Sequence, residues 1–110
     1  MDERRILIRF RSGEADGVRA LYDRYARAVF VVALSALGDR GLAEEAVQLT
    51  FLQAWQAAHR FDPTRDPGTW LYAIARRVAV DLYRRERRHH TVDEVEPEIV
   101  ALPPSFERTW

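Results

Sequence analysis

The sequence predicts an all-α fold: a compact bundle of about four helices followed by a C-terminal linker. Three observations predict it. Apolar residues recur at three- and four-residue spacing through each long segment. Clusters of glycine, proline and aspartate mark the breaks between segments. No segment alternates apolar and polar residues as a half-buried strand does.

A short amphipathic helix over about Asp2 to Phe10 offers Ile6, Leu7 and Phe10, and Ser12-Gly13 ends it. A long helix follows from about Glu14 to Leu37, with Val18, Leu21, Tyr22, Tyr25, Val29, Val32, Ala33 and Ala36 at helical spacing. Gly38 is its expected C-terminal stop and Asp39 the N-cap of the next helix. That third helix is expected to run to about His59 and to bury Ala43, Val47, Phe51, Ala54, Trp55 and Ala58, with Glu44 and Glu45 favourably placed near its positive end. The loop Asp62-Pro63-Thr64-Arg65-Asp66-Pro67-Gly68 leads into the last helix; Asp66 is the expected cap and Pro67 sits in the first turn, where its missing N–H costs nothing. Residues 1–90 read as one helical domain. Residues 91–110, with Pro97, Pro103 and Pro104, read as an acidic linker whose apolar end points to a further domain.

Composition narrows the function classes. A chain of 110 residues with 47% hydrophobic content holds one domain with a modest core. It has no cysteine, hence no disulfide or thiolate chemistry. No run approaches the roughly 18 apolar residues of a membrane span, and the start lacks the apolar stretch of a signal peptide. A cytoplasmic protein without membrane insertion is the expectation. The net charge of zero hides a segregation: Arg76 to Arg88 carries six arginines against Asp81 and Glu86, whereas the stretch from Thr91 onward is acidic. All 17 basic residues are arginine, which a GC-rich coding bias also produces.

The helix from Trp70 to Arg88 carries the strongest functional signal. At about 100° per residue, Trp70, Leu71, Ile74, Ala75, Val78 and Leu82 gather on one face. Tyr72, Arg76, Tyr83 and Arg87 fall opposite, flanked by Ala73, Val80, Arg77 and Arg84. Aromatic rings beside planar cations suit unpaired bases and their phosphates. Arginines at a helix C-terminus also satisfy its last carbonyls, but that does not account for Arg76 and Arg77 in mid-helix. Asp81 projects near the core edge, where a structural ion pair is expected. On the third helix, Glu45, Leu49, Leu52 and Gln56 lie opposite the core face with Gln48 at the edge, an apolar spot rimmed by polar groups that suits a protein partner. Nothing favours catalysis: no metal-ligand spacing and no phosphate-binding glycine loop occur, and the adjacent His89 and His90 point apart on a helix. Neither a cofactor nor a metal is expected.

These residues together resemble region 2 of bacterial sigma factors of the extracytoplasmic-function (ECF) group. The resemblance spans about Ala20 to Arg88. It rests on Ala20-Leu21-Tyr22-Asp23-Arg24-Tyr25, then Gly38-Asp39, then Ala43-Glu44-Glu45-Ala46-Val47-Gln48-Leu49-Thr50-Phe51-Leu52-Gln53-Ala54-Trp55. Arg60-Phe61-Asp62-Pro63 and Trp70-Leu71-Tyr72-Ala73-Ile74-Ala75-Arg76-Arg77-Val78-Ala79-Val80-Asp81 complete it. Each piece is weak alone; their order and spacing are specific.

The resemblance implies a transcription initiation factor. Its third helix would bind the β′ clamp helices of core RNA polymerase through Glu45, Gln48, Leu49, Leu52, Gln53 and Gln56. The loop, with Phe61, Asp62, Pro63, Thr64 and Arg65, would capture a base flipped from the non-template strand of the promoter −10 element. Tyr72, Arg76, Arg77, Val80, Tyr83, Arg84 and Arg87 would lie along the melted strand. An anti-sigma factor would regulate it by covering these surfaces. Two departures from the family pattern stand out: Leu49 where an acidic residue is usual, and Arg77 where asparagine is common. The helix-turn-helix domain that reads the −35 element is absent from the chain. Two other readings are a duplex-binding repressor and a helical protein-interaction module. The seven-residue loop argues against the first, which needs a tight turn of three to four residues. The second would leave the arginines without a task.

Overall fold

Four α-helices and one short 3-10 turn make up the described part of the chain, residues 3–88 and Phe106 of a computed structural model. The helices are α1 (Glu3–Arg11), α2 (Ala15–Leu37), α3 (Arg40–Gln56) and α4 (Pro67–Arg87), with the 3-10 turn Ala58–Arg60 between the last two. The all-α fold is as expected. His89, His90 and the acidic segment from Thr91 lie outside the described residues, Phe106 apart.

Local chemistry sets the boundaries. Gly38 adopts φ 66°, the left-handed conformation a side chain disfavours, and its N–H donates to Leu34 O at 2.8 Å to close α2. Asp39 caps α3, accepting from Leu42 N–H at 2.9 Å. Asp66 caps α4 twice over: it accepts from Gly68 N–H at 3.2 Å and from the Thr69 hydroxyl at 2.8 Å, with Pro67 in the first turn. The third helix stops at Gln56 rather than His59. There the bonding tightens to i→i+3, with Arg60 N–H donating to Ala57 O and Phe61 N–H to Ala58 O.

α2 is the central element and packs against α1, α3 and α4, while α3 and α4 pack on each other. Leu7, Phe10, Leu21, Tyr25, Val29, Phe51, Leu71, Val78 and Leu82 form one continuous core. Each such side chain contributes about 1.5–3 kcal/mol when fully buried. Gly17 lets α1 approach: a Cβ there would meet the Phe10 backbone nitrogen at 2.4 Å. Arg9 pairs with Asp16 across the same junction.

Two expected core residues of the bundle are on its surface. Trp55 is 48% exposed, its indole N–H donating to Gly13 O at 3.3 Å, and Tyr22 is 44% exposed with its ring edge on Phe51. The buried face of α3 is lined by Ala43, Ala46, Val47, Thr50, Phe51 and Ala54, and Trp55 projects outside it. Thr50 is accommodated because its hydroxyl donates to Ala46 O at 2.6 Å.

Candidate nucleic-acid interface and protein-docking face

The loop before α4 is shaped by its own side chains. Asp62 accepts from Thr64 N–H at 2.9 Å and from the Thr64 hydroxyl at 2.7 Å, while Arg65 N–H donates to Asp62 O. These bonds from Thr64, with Arg65 and Arg11 nearby, hold the Asp62 carboxyl below its usual range. The turn frames a cleft of about 500 Å³ lined by Arg60, Phe61, Asp62, Arg65, Asp66, Thr69, Trp70 and Ala73. Its floor is aromatic. Phe61 and Trp70 lie with centroids 5.0 Å apart, and Phe10 meets them edge-on at 5.9 and 5.6 Å.

A second groove runs along α4, lined by Thr69, Tyr72, Ala73, Arg76, Arg77, Val80, Asp81 and Arg84. Thr69 and Ala73 line both, so cleft and groove are neighbours on the surface of α4. Arg76, Arg77 and Arg84 are exposed along it. Farther along, the Arg87 guanidinium lies 5.8 Å from the Tyr83 ring centroid. Asp81, expected in an ion pair at the core edge, is instead exposed among the arginines.

The outward face of α3 is different in chemistry. Leu52 is half exposed, and Trp55 and Gln56 follow on the same side of the helix. Gln48 lines a shallow groove of about 360 Å³ with Tyr22, Ala26, Arg27, Phe30, Glu44 and Val47. Leu49 is partly buried against the core rather than exposed, and Gln53 is half-buried. Glu45 is engaged by α4: Arg85 donates to both its oxygens, at 2.7 and 3.1 Å, in a two-pronged ion pair. Those bonds hold the Glu45 carboxyl below its ordinary value, against a smaller opposing effect of burial, and raise that of Arg85, which also contacts Glu86.

The structure thus brings Phe61, Asp62 and Arg65 to the cleft and Arg76, Arg77, Val80 and Arg84 to the groove, with Pro63 and Thr64 in the turn between α3 and α4. Phe61, although it lines the cleft, is itself almost fully buried. Tyr72 departs most from the sequence expectation. It is buried, with Phe106 edge-on to its ring at 5.2 Å. Ala73, which the helical projection places beside the arginine face, lines cleft and groove alike, as does Thr69, which sequence reasoning missed. Sequence reasoning also assigned Trp70 to the core alone. Thr69, Ala73, Arg76, Arg77, Val80 and Arg84 recur at helical spacing, which is the signal that marks them as one stripe.

The described residues thus carry an arginine-lined groove on one helix and a partly apolar outward face on another. The sigma-70 region 2 family matches residues 21–89, and the chain belongs to that family. It is similar to an ECF RNA polymerase sigma factor, SigL, of Mycobacterium tuberculosis, with 38% identity over 82 residues that make up 74% of this chain and 46% of the relative. It is also similar to an ECF RNA polymerase sigma factor, SigK, of Mycobacterium sp. (strain KMS), with 39% identity over 74 residues, 66% of this chain and 38% of the relative. The SigK of Mycolicibacterium vanbaalenii is 33% identical over 93 residues, 84% of this chain and 47% of the relative. The chain therefore spans less than half the length of these relatives. No solved structure matches it. Among the described residues, no helix is long and apolar enough to cross a membrane.

Proposed function

We propose that the chain is the promoter-melting domain of an ECF sigma factor, working in the cytoplasm as part of transcription initiation. The outward face of α3, with Gln48, Leu52, Gln56 and the neighbouring Leu49 and Gln53, docks on the β′ clamp helices of core RNA polymerase. The cleft at Phe61–Ala73 accepts a base flipped from the non-template strand of the −10 element. The groove of Arg76, Arg77 and Arg84 carries the phosphates that follow, and Tyr83 and Arg87 extend the contact. The observation that carries this reading is the adjacency of the cleft and the arginine-lined groove, which share Thr69 and Ala73.

Energetically, unstacking a base costs a few kcal/mol. Stacking on an aromatic side chain returns about 1–3 kcal/mol, and phosphate neutralisation by arginines adds a salt-dependent contribution. The aromatic floor and the cations therefore offset much of the unstacking cost, and a strand that is already single binds more tightly than the same strand in duplex. The domain acts by binding, and the polymerase supplies the chemistry. Arg77, where the family pattern commonly has asparagine, shifts the balance toward backbone contact and away from base discrimination. The division into a domain of residues 1–90 and a linker of 91–110, a −35-reading domain beyond it, and an anti-sigma factor covering both faces belong to the same proposal.

The test is the affinity of the chain, with and without isolated β′ clamp helices, for single-stranded and duplex −10 oligonucleotides at fixed salt. Clamp-helix binding with a sequence-dependent preference for the non-template single strand is expected. Equal affinity for duplex would favour a duplex-binding repressor, and clamp binding without any strand capture would favour a protein-interaction module.

A further inference from the structure

Phe106 lies well beyond Arg88, the last described residue of the α4 region, and outside the family match, yet it is fully buried. Its ring stacks on Tyr25 of α2 with centroids 6.1 Å apart and planes 16° from parallel, and meets Tyr72 of α4 edge-on at 5.2 Å. Its backbone is equally close. A Cβ built on Gly68 would lie 1.8 Å from the Phe106 carbonyl oxygen, 2.9 Å from its carbonyl carbon and 3.3 Å from the Tyr25 hydroxyl. Gly68 sits in the first turn of α4, so the chain returns to the opposite end of the helix from Arg88, about 30 Å away along its axis. The intervening residues are long enough to reach, since an extended chain covers about 3.3 Å per residue.

We propose that Tyr25, Gly68 and Tyr72 form an intramolecular docking socket whose occupant is the C-terminal segment of this same chain, inserted through Phe106. The consequence is positional. Phe106 itself sits at the cleft end of α4, not at its arginine-rich end, and backs Tyr72, which lines the groove along α4. The absence of a side chain at Gly68 is then a requirement of this docking: the residue has no positive φ and gains nothing as glycine from the helix itself.

That last point makes the socket testable by the sign of an effect. In a helix, Gly→Ala ordinarily stabilises. In the full chain Gly68→Ala must expel the Phe106 backbone, so a fall of several degrees in the melting midpoint is expected, together with chymotrypsin cleavage after Phe106 at least tenfold faster than in the parent. Phe106→Ala alone is expected to lower the midpoint by about 10 °C or more. With Phe106→Ala already present, Gly68→Ala is expected to leave the midpoint unchanged or raise it. A rise in midpoint for Gly68→Ala in the intact chain, with unaltered cleavage at Phe106, overturns the proposal. If Phe106→Ala fails to fold, the single Gly68→Ala variant still decides by both readouts. Analytical ultracentrifugation separates this occupant from a second copy. A monomer with concentration-independent protection is expected, and protection that appears only in a dimer overturns docking in cis. None of these readouts involves polymerase or DNA, so the socket stands or falls separately from strand capture.

Discussion

α3 and α4 are built alike and presented differently. Both begin at an aspartate cap, both bury alanines with a few larger apolar residues, and they pack on one another. Yet α3 turns Gln48, Leu52, Trp55 and Gln56 outward, while α4 turns Arg76, Arg77 and Arg84 outward. Removing apolar area from water gives binding energy that salt hardly weakens. A row of arginines gives attraction that salt strongly weakens. In the proposed function, the bundle would hold a protein on one helix and a phosphate backbone on the next, with the two affinities separable by ionic strength.

The largest expected effect is on α4. Changing Arg76 and Arg77 together to alanine is expected to lower single-strand affinity about ten- to a hundredfold at low salt. The slope of log K against log salt should become less steep by roughly 0.7 for each phosphate that is no longer neutralised. Both side chains are exposed, so stability should move by no more than about 0.5 kcal/mol. An unchanged salt slope, measured by oligonucleotide titration at several ionic strengths, would erase the contrast between the helices.

The counterpart on α3 is Leu52→Asp, which removes an exposed apolar side chain and introduces a charge. Clamp-helix affinity is expected to fall about tenfold or more, with oligonucleotide binding by the chain alone unaffected. A parallel loss of strand affinity would show that the two faces are not independent.

A smaller effect sharpens the comparison at the helix starts. Asp39→Ala and Asp66→Ala each remove a cap, costing about 1 kcal/mol in urea unfolding. Only Asp66 also holds the first turn of the helix that lines the cleft, through Gly68 and Thr69. Asp66→Ala is therefore expected to weaken strand binding a fewfold, and Asp39→Ala to leave it unchanged.

How legible these features are in the sequence depends on how local they are. The Asp66 cap, Pro67 and the Gly38 stop follow from residue chemistry within a few positions and are found where expected. The buried stripe of α4 follows from periodicity because arginines and aliphatics separate cleanly around it. The same projection misplaces Trp55, since α3 carries leucines on one side and alanines, valine and phenylalanine on the other, and hydrophobicity alone does not choose between them. The structure buries the face with Ala43, Ala46, Val47, Phe51 and Ala54 and leaves Trp55 half exposed. Tyr72 is misread for another reason, because the group that buries it lies 34 positions away in sequence. The Glu45–Arg85 pair spans 40 positions, and no local pattern encodes it.

That pair joins the two contrasted helices and carries the smallest prediction. Arg85 hydrogen bonds hold the Glu45 carboxyl below its ordinary value of 4.5. A carboxylate with a lowered folded pKa stabilises the fold fully above its unfolded pKa, and loses that contribution as pH falls through the folded value. Both side chains are partly exposed, at 40% and 38%, so solvent screens the pair and its contribution stays on the scale of a surface bridge. Comparing urea midpoints of the parent and Glu45→Gln, a modest advantage of the parent is expected at neutral pH. That advantage should shrink below about pH 4.5 and disappear once Glu45 is protonated. Asp62, whose carboxyl is also held low, is common to both proteins and cancels from the difference. A gap that stays constant with pH would mean that Glu45 contributes by packing alone. The pair also ranks the docking residues. Because Arg85 already occupies both Glu45 oxygens, a clamp contact through Glu45 has to exchange one cation for another, whereas Leu52 needs only to leave water. Glu45→Gln is therefore expected to cost less clamp affinity than Leu52→Asp, and the reverse order would move the centre of the docking face toward the N-terminal end of α3.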